Sequence, residues 1–230
     1  MKGVKGYLFD YGGTLDTGGC HWGKVLWHCY QRVGVPIGEQ QFRDAYVHAE
    51  RTLGSQRVVM PDFTFRQTLQ AKVRLQLAWL QEIDGERYAA DIVREAYDVA
   101  RQHVSHSREV LMQLREATPL VLVSNFYGNM ETVLREFNLV GVFQHVVESA
   151  VVGIRKPDPR IFALGVTRLG LQAADVAVVG DSIDKDIVPA KQAGCKTVWL
   201  RGEQWTDEPV DEHIPDRVID DLSELLVIKD

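Results

Sequence analysis

The sequence predicts an α/β fold, a parallel sheet covered by helices, with a helical block inserted after the first strand. Short apolar segments without polar alternation lie at 4–10, 119–125, 175–181 and 196–200, and helical patterns separate the later ones. Such segments are typical of parallel strands that are buried on both faces. Between the first two segments the pattern is almost wholly helical. We therefore expect a core at 1–16 and 106–230 and an α-helical cap at 17–105.

Four amphipathic segments of bundle length predict a four-helix cap. The first places Val25, Leu26 and Cys29 on one face, and the prolines Pro36 and Pro61 fall between segments, where helix breakers belong. After the cap, Ser107 is a predicted N-cap for a helix that leads into the second strand.

Composition excludes several functional classes. The 230 residues carry a net charge of -6, so no general basic field exists for nucleic acid or an anionic membrane. No apolar run approaches the roughly 20 residues of a membrane span, and the apolar stretch near the N-terminus is too short for a signal peptide. The three cysteines form no CxxC pair, which indicates a reducing compartment. We expect a cytoplasmic protein with no nucleic-acid or membrane partner and an oligomeric state that the sequence leaves open.

Polar residues cluster just after the predicted strands, where ligands of parallel sheets bind. The first strand runs into "FDYGGTL", the second ends in "VLVSN", a later loop reads "RKPDPRIF", and another strand runs into "VVGDSIDKDI". These segments supply Asp10, Thr14, Ser124, Asn125, Lys156, Asp181 and Asp186.

Together these residues fit phosphoryl transfer. Asp10 and Asp181 could share one Mg²⁺, which proteins usually hold through one or two carboxylates plus phosphate. Ser124 offers a hydroxyl to a phosphoryl oxygen, and Lys156 offsets the local negative charge. An ionised Asp10 could then attack phosphorus and form an aspartyl-phosphate.

The four segments, in this order, resemble the motifs of the haloacid dehalogenase-like hydrolase superfamily, in the group with a helical cap after the first motif. The resemblance spans about residues 4–195. It implies a Rossmann-like core, a mobile cap and hydrolysis of a small phosphorylated metabolite.

The resemblance also assigns roles to residues. It implies Asp10 as the nucleophile, with Ser124 and Lys156 as catalytic phosphate-binding residues. Mg²⁺ would be held by Asp10, Asp181 and the backbone carbonyl of Gly12.

The remaining motif positions take supporting roles. Thr14 and Asn125 join Ser124 and Lys156 in the expected substrate-binding set. Asp186 is expected to be an acidic neighbour of the metal ligands rather than a direct ligand.

The sequence departs from the family pattern at Gly12. Phosphatases of the family carry a second aspartate there, which protonates the leaving group and then activates water. Acid–base catalysis of this kind contributes typically ~10²–10⁴-fold, so poor leaving groups should react slowly here. Asp16 is the nearest acid in the sequence, but it is expected to lie past the turn.

Three hypotheses follow from this departure. The first is a Mg²⁺-dependent phosphatase with a compensating acid, or one specialised for good leaving groups. The second is a phosphonate- or halide-releasing enzyme; the Gly-Asp-Ser motif at Asp181 argues against a dehalogenase, and the cap lysines Lys24 and Lys72 lack a recognisable Schiff-base context. The third is a catalytically weak or inactive protein that binds phosphate or a partner.

The cap is expected to cover the strand ends and to exclude water. His21, Trp22 and Tyr30 lie near its first hinge and could line the site. Aromatic residues at helical spacing more often belong to a helical core, and that is the expectation here.

Overall fold

A computed structural model of the protein describes residues 3–81, 83–206 and 208–227. Its centre is a six-stranded, all-parallel sheet with the order β3-β2-β1-β4-β5-β6. The strands are β1 (Gly6–Phe9), β2 (Leu120–Ser124), β3 (His145–Glu148), β4 (Val176–Gly180), β5 (Lys196–Leu200) and β6 (Arg217–Ile219). The predicted parallel sheet is confirmed.

Strand β1 shows why its sequence is continuously apolar. Leu8 packs into a cluster with Phe162 on one side of the sheet, whereas Phe9 packs into a second cluster with Leu111 on the other side. Successive side chains of a strand point to opposite faces, so both must be apolar when helices cover both faces.

Four helices lie between β1 and β2, as predicted. They are α1 (Trp22–Val33), α2 (Glu39–Ser55), α3 (Phe65–Trp79) and α4 (Gly85–Leu114). Polar caps fix two of their starts: the His21 ring accepts from the Gly23 N–H, and the Thr64 hydroxyl accepts from the Gln67 N–H.

The N-cap prediction for Ser107 is wrong. Helix α4 runs without interruption through this residue, so the boundary proposed at 105/106 lies inside a helix. The Ser107 hydroxyl donates to the carbonyl of Leu15, 2.8 Å away, and therefore needs no helix end. Through α4 the helical block and the sheet share one continuous element, with Val110 and Leu111 buried in the core.

Shorter elements complete the chain. They are α5 (Met130–Glu136), α6 (Ser149–Val152), α7 (Arg160–Leu169), α8 (Val188–Gln192), two 3₁₀ turns at Ala173–Asp175 and Leu222–Leu226, and a π-helical turn at Ile183–Ile187. Helix α6 was not predicted.

Two further expectations concern the surface and the thiols. Across 3–81, 83–206 and 208–227, no helix has the length and apolarity that a membrane span requires. Cys20, Cys29 and Cys195 are free thiols.

We expect Leu8→Ala to lower the free energy of unfolding by about 3 kcal/mol, because truncation of a fully buried leucine removes apolar contacts and leaves a cavity. Urea unfolding followed by circular dichroism measures this change. Val140, which is 66% exposed, provides the control, and Val140→Ala should cost less than about 0.5 kcal/mol. Equal losses in the two variants would show that β1 is not the centre of the core.

Candidate active site

Strand order brings the predicted site residues to one edge of the sheet. β1 lies between β2 and β4, so Asp10 after β1, Ser124 at the end of β2 and Asp181 after β4 are neighbours. A cavity of about 190 Å³ opens at this edge, with walls from both the sheet loops and the helical block. The chain runs from β1 to β2 and β3 on one side of β1 and then crosses to β4 on its other side. This reversal of strand order is the switch point where such sheets bind ligands.

Lys156 is the central contact of the cluster. Its Nζ lies 2.5 Å from Asp10 Oδ1 and 2.7 Å from Asp186 Oδ1, and its side chain is only 2% exposed. Burial alone would lower the pKa of Lys156, but the carboxylates of Asp10 and Asp186 raise it above its usual value. The lysine is therefore a fixed positive charge.

Asn125 holds Lys156 in place. Its side-chain Nδ2 donates to the Lys156 carbonyl over 3.1 Å, and its Oδ1 accepts from the Lys156 N–H over 2.9 Å. Asn125 also lines the cavity. The loop that carries the lysine is thus anchored to the end of β2.

Three buried carboxylates crowd around this lysine. One oxygen each from Asp10, Asp181 and Asp186 lies within 4.8 Å of the others. Burial raises the pKa of Asp10 to about 6, although Lys156 opposes the shift. Burial, followed by the charges of Asp186 and Asp10, raises the pKa of Asp181 well above its usual value.

The cluster fits a hard divalent cation. Three ionised carboxylates and one ammonium leave an excess of two negative charges in a buried space, and a divalent ion would balance it. Carboxylate oxygens are the donors that Mg²⁺ prefers. Asp186 belongs to this oxygen cluster, a more central place than the neighbouring position predicted for it.

Thr14 contacts the carboxylates rather than the cavity. Its Oγ1 lies 2.9 Å from Asp181 Oδ1 and 3.3 Å from Asp10 Oδ2, and it is absent from the cavity walls. The adjacent Gly13 has a φ of 100°, and a Cβ there would overlap the Asp181 carboxylate. The Gly-Thr pair in "FDYGGTL" therefore serves close packing of the two strand ends.

Ser124 and Gly12 complete the predicted set. The Ser124 hydroxyl is buried at the end of β2, does not line the cavity, and has no hydrogen-bond partner within the described ranges. Such orphaned groups call for an explanation, and a bound oxyanion would satisfy this one. Gly12 lines the cavity beside Asp10.

The sequence did not reveal a second charged pair on the opposite wall. Lys72 of α3 lies 2.7 Å from Glu50 of α2, and Tyr127 donates to the other Glu50 oxygen over 3.1 Å. The Lys72 ammonium is also within 6 Å of the rings of Trp22, Tyr46 and Tyr127. Although burial opposes it, Glu50 raises the pKa of Lys72 well above its usual value.

Asp16 also lines the cavity, contrary to the expectation that it lies past the turn. Its side chain is held by two donors: the Gly13 N–H reaches Oδ1 over 2.8 Å, and the Trp22 indole N–H reaches Oδ2 over 2.9 Å. The loop folds back at Gly13, which returns Asp16 to the site.

Two of the three hinge aromatics, His21 and Trp22, line the cavity. Trp22 also packs against the apolar core, as expected, so it takes part in both. Tyr30 is buried in the helical block and donates to Gln76 over 3.0 Å. Burial, followed by the charge of Lys185, lowers the pKa of His21 to about 4, so this ring is neutral near pH 7.

Comparison with known proteins agrees with this geometry. The model of the haloacid dehalogenase-like hydrolase family matches residues 4–194. Phosphoglycolate phosphatase of Vibrio cholerae is 28% identical over 99% of this chain and 98% of its own length. Phosphoserine phosphatase of Thermus thermophilus is 31% identical over 64% of this chain and 61% of its own length.

Relatives with higher local identity match over shorter stretches of the chain. Glyceraldehyde 3-phosphate phosphatase of Methanopyrus kandleri is 43% identical over 36% of this chain and 37% of its own length. Among the first five relatives, the match spans between 37% and 61% of the relative's length.

Solved structures share the fold at low identity. A dehalogenase with an intermediate complex superposes with a TM-score of 0.66 at 20% identity, over 99% of this chain and 98% of the other. The putative HAD-hydrolase YfnB from Bacillus subtilis, bound to magnesium, gives 0.62 at 20% identity over 99% of each chain. The family match over most of the chain, with motifs that meet at one edge of the sheet, shows that this chain belongs to the haloacid dehalogenase-like hydrolase family.

Proposed function

We propose that the protein is a Mg²⁺-dependent phosphatase that acts on a small phosphorylated metabolite through an aspartyl-phosphate at Asp10. The observation that carries the proposal is the buried contact of Asp10 with Lys156 beside Asp181, at the floor of a cavity. Buried charged groups that converge in a cavity are typical of functional sites. An ammonium beside three carboxylates fits a site that binds a phosphate together with a cation.

Asp10 is suited to nucleophilic attack. Lys156 binds its Oδ1, and this contact orients the carboxylate and favours its ionised form. The other oxygen, Oδ2, has only the 3.3 Å contact with Thr14 among the hydrogen bonds of the described chain. We assign Oδ2 as the atom that attacks phosphorus.

The other residues bind the phosphoryl group and the cation. Lys156 and Ser124 would hold phosphoryl oxygens. The Asn125 side chain holds the backbone of Lys156 through two hydrogen bonds. Asp10 and Asp181 would hold Mg²⁺, together with the carbonyl of Gly12 and with Asp186 alongside. When bound, the cation supplies positive charge that reduces repulsion between the carboxylates and the incoming phosphate.

The cavity favours a small substrate. Its volume of about 190 Å³ is below the range of roughly 300 Å³ upward that holds drug-sized ligands. Relatives named for phosphoglycolate, phosphoserine and glyceraldehyde 3-phosphate agree with this size. We place the helical block, residues 17–105, as a cap whose Lys72 and Glu50 contact the part of the substrate that does not react.

The competing hydrolase chemistries fit less well. A Schiff base requires a neutral amine, and Lys72 is held protonated by Glu50. A halide-releasing enzyme has no use for the crowded carboxylates around Asp181. The neighbours that are dehalogenases are below 25% identity and support the fold alone.

A non-catalytic phosphate-binding protein is the second candidate, and Gly12 is the observation that favours it. The same anion site would then bind phosphate without turnover.

A cytoplasmic location remains a prediction from the sequence.

We expect Mg²⁺ to raise the Tm of the wild-type protein by about 5 °C or more at saturation, since a ligand that binds only the folded state stabilises it. Asp181→Asn should remove most of this shift. Asp175 lies at the opposite end of β4 and pairs with Lys5, so Asp175→Asn should keep the shift. Equal shifts in all three proteins, measured by scanning calorimetry, would exclude Asp181 as a ligand.

We expect Mg²⁺-dependent hydrolysis of an aryl phosphate such as 4-nitrophenyl phosphate. Asp10→Asn should reduce turnover at least about 10³-fold, because the nucleophile is lost, and a chelator should abolish it. Asp175→Asn again serves as the matched control. Phosphate binding that depends on Mg²⁺, without any turnover, would instead support the non-catalytic candidate.

A further inference from the structure

Hydrolysis of a phosphate monoester needs two proton transfers that Gly12 cannot make. The leaving alkoxide must gain a proton when the P–O bond breaks, and the attacking water must later lose one. The carboxyl groups that line the cavity are those of Asp10, Asp16, Glu50, Asp181 and Asp186.

Four of these groups are already engaged. Asp10 and Asp186 contact Lys156, and Asp181 belongs to the same oxygen cluster. Glu50 is paired with Lys72; although burial opposes it, Lys72 lowers the pKa of Glu50 and keeps it ionised. Asp16 differs from them, since it accepts hydrogen bonds from two neutral groups, the Gly13 N–H and the Trp22 indole N–H.

Asp16 also lies beside the space that Gly12 leaves open. A Cβ added at Gly12 would stand 3.9 Å from Trp22 Nε1, and this same atom donates to Asp16 Oδ2 over 2.9 Å. The Asp16 carboxylate is therefore no farther from that Cβ than the sum of these two distances. A carboxyl group attached at position 12 would extend into the same region.

We propose that Asp16 supplies the proton-transfer group that Gly12 lacks, an inference that rests on the proposed phosphatase function. In the first step Asp10 Oδ2 bonds to phosphorus, the P–O bond to the alcohol breaks, and the Asp16 carboxyl gives its proton to the alkoxide. In the second step the Asp16 carboxylate takes a proton from water. The water oxygen bonds to phosphorus, the bond to Asp10 breaks, and inorganic phosphate is released.

The surroundings of Asp16 suit both roles. Burial raises the pKa of Asp16 to about 7, and the negative charge of Asp10 adds to this shift. The Gly13 and Trp22 N–H donors and the positive charge of Lys72 oppose it. Tyr11 is a further ionisable group that interacts with Asp16. A group with a pKa near the working pH is present in both forms, as a proton shuttle requires.

The test compares an alkyl phosphate, glycerol phosphate, with an aryl phosphate, 4-nitrophenyl phosphate, whose leaving group needs little protonation. Asp16→Asn should lower turnover of the alkyl ester by about 10²-fold or more and that of the aryl ester by less than about tenfold. Adding Gly12→Asp to Asp16→Asn should restore alkyl turnover, because the Cβ at position 12 meets Trp22 at ordinary contact distance. Asp175→Asn should leave both rates unchanged.

Equal losses on the two esters, or no loss on either, would overturn the proposal. A wild-type protein that hydrolyses neither ester would overturn the proposed function first, and the Asp16 assignment with it.

Trp22→Phe provides a second test that keeps the Asp16 carboxyl. Loss of the indole N–H removes a donor that favours the ionised form, so the pKa of Asp16 should rise. An acid must be protonated to act, and activity on the alkyl ester is lost as pH rises through its pKa. The alkaline limb of the pH–rate profile should therefore move to higher pH in Trp22→Phe, and an unmoved limb would contradict the role of Asp16.

Discussion

The buried contact between Lys156 and the carboxylates of Asp10 and Asp186 is the constraint on which the rest of the site depends. Taking an ammonium and several carboxylates out of water is costly unless they neutralise one another. Here Lys156 is 2% exposed and touches both carboxylates within 2.7 Å. The lysine must be held rigidly, and the paired hydrogen bonds from Asn125 provide that restraint.

The sheet explains how groups so far apart in the chain meet. Asp10 and Asp181 follow adjacent parallel strands, and their separation is set by the register of β1 against β4, in which Phe9 pairs with Val179. The Thr14 hydroxyl then contacts both carboxylates, and Gly13 lies close against that of Asp181. Ionised together, the three carboxylates carry more negative charge than Lys156 offsets, which is the physical reason that a divalent cation fits the site.

The parallel sheet and the site residues that follow its strands could be predicted from the sequence, because strand burial and strand-end positions are local properties. The part of the cavity wall formed by Lys72 and Glu50 could not be predicted, because it depends on how α2 packs against α3. Asp16 was misplaced because the fold-back at Gly13 is a conformation of the loop, not a periodicity. Ser107 was misassigned because a serine is tolerated inside a helix when its hydroxyl finds an acceptor elsewhere.

Covalent catalysis requires that Asp10 act as the nucleophile and carry the phosphoryl group. Acid quenching of the protein during turnover of an aryl phosphate, followed by proteolysis and mass spectrometry, tests this claim. We expect a phosphoryl group on the peptide that contains Asp10. A phosphoryl group on another residue, or a burst of the phenol product without any covalent phosphopeptide, would contradict the account.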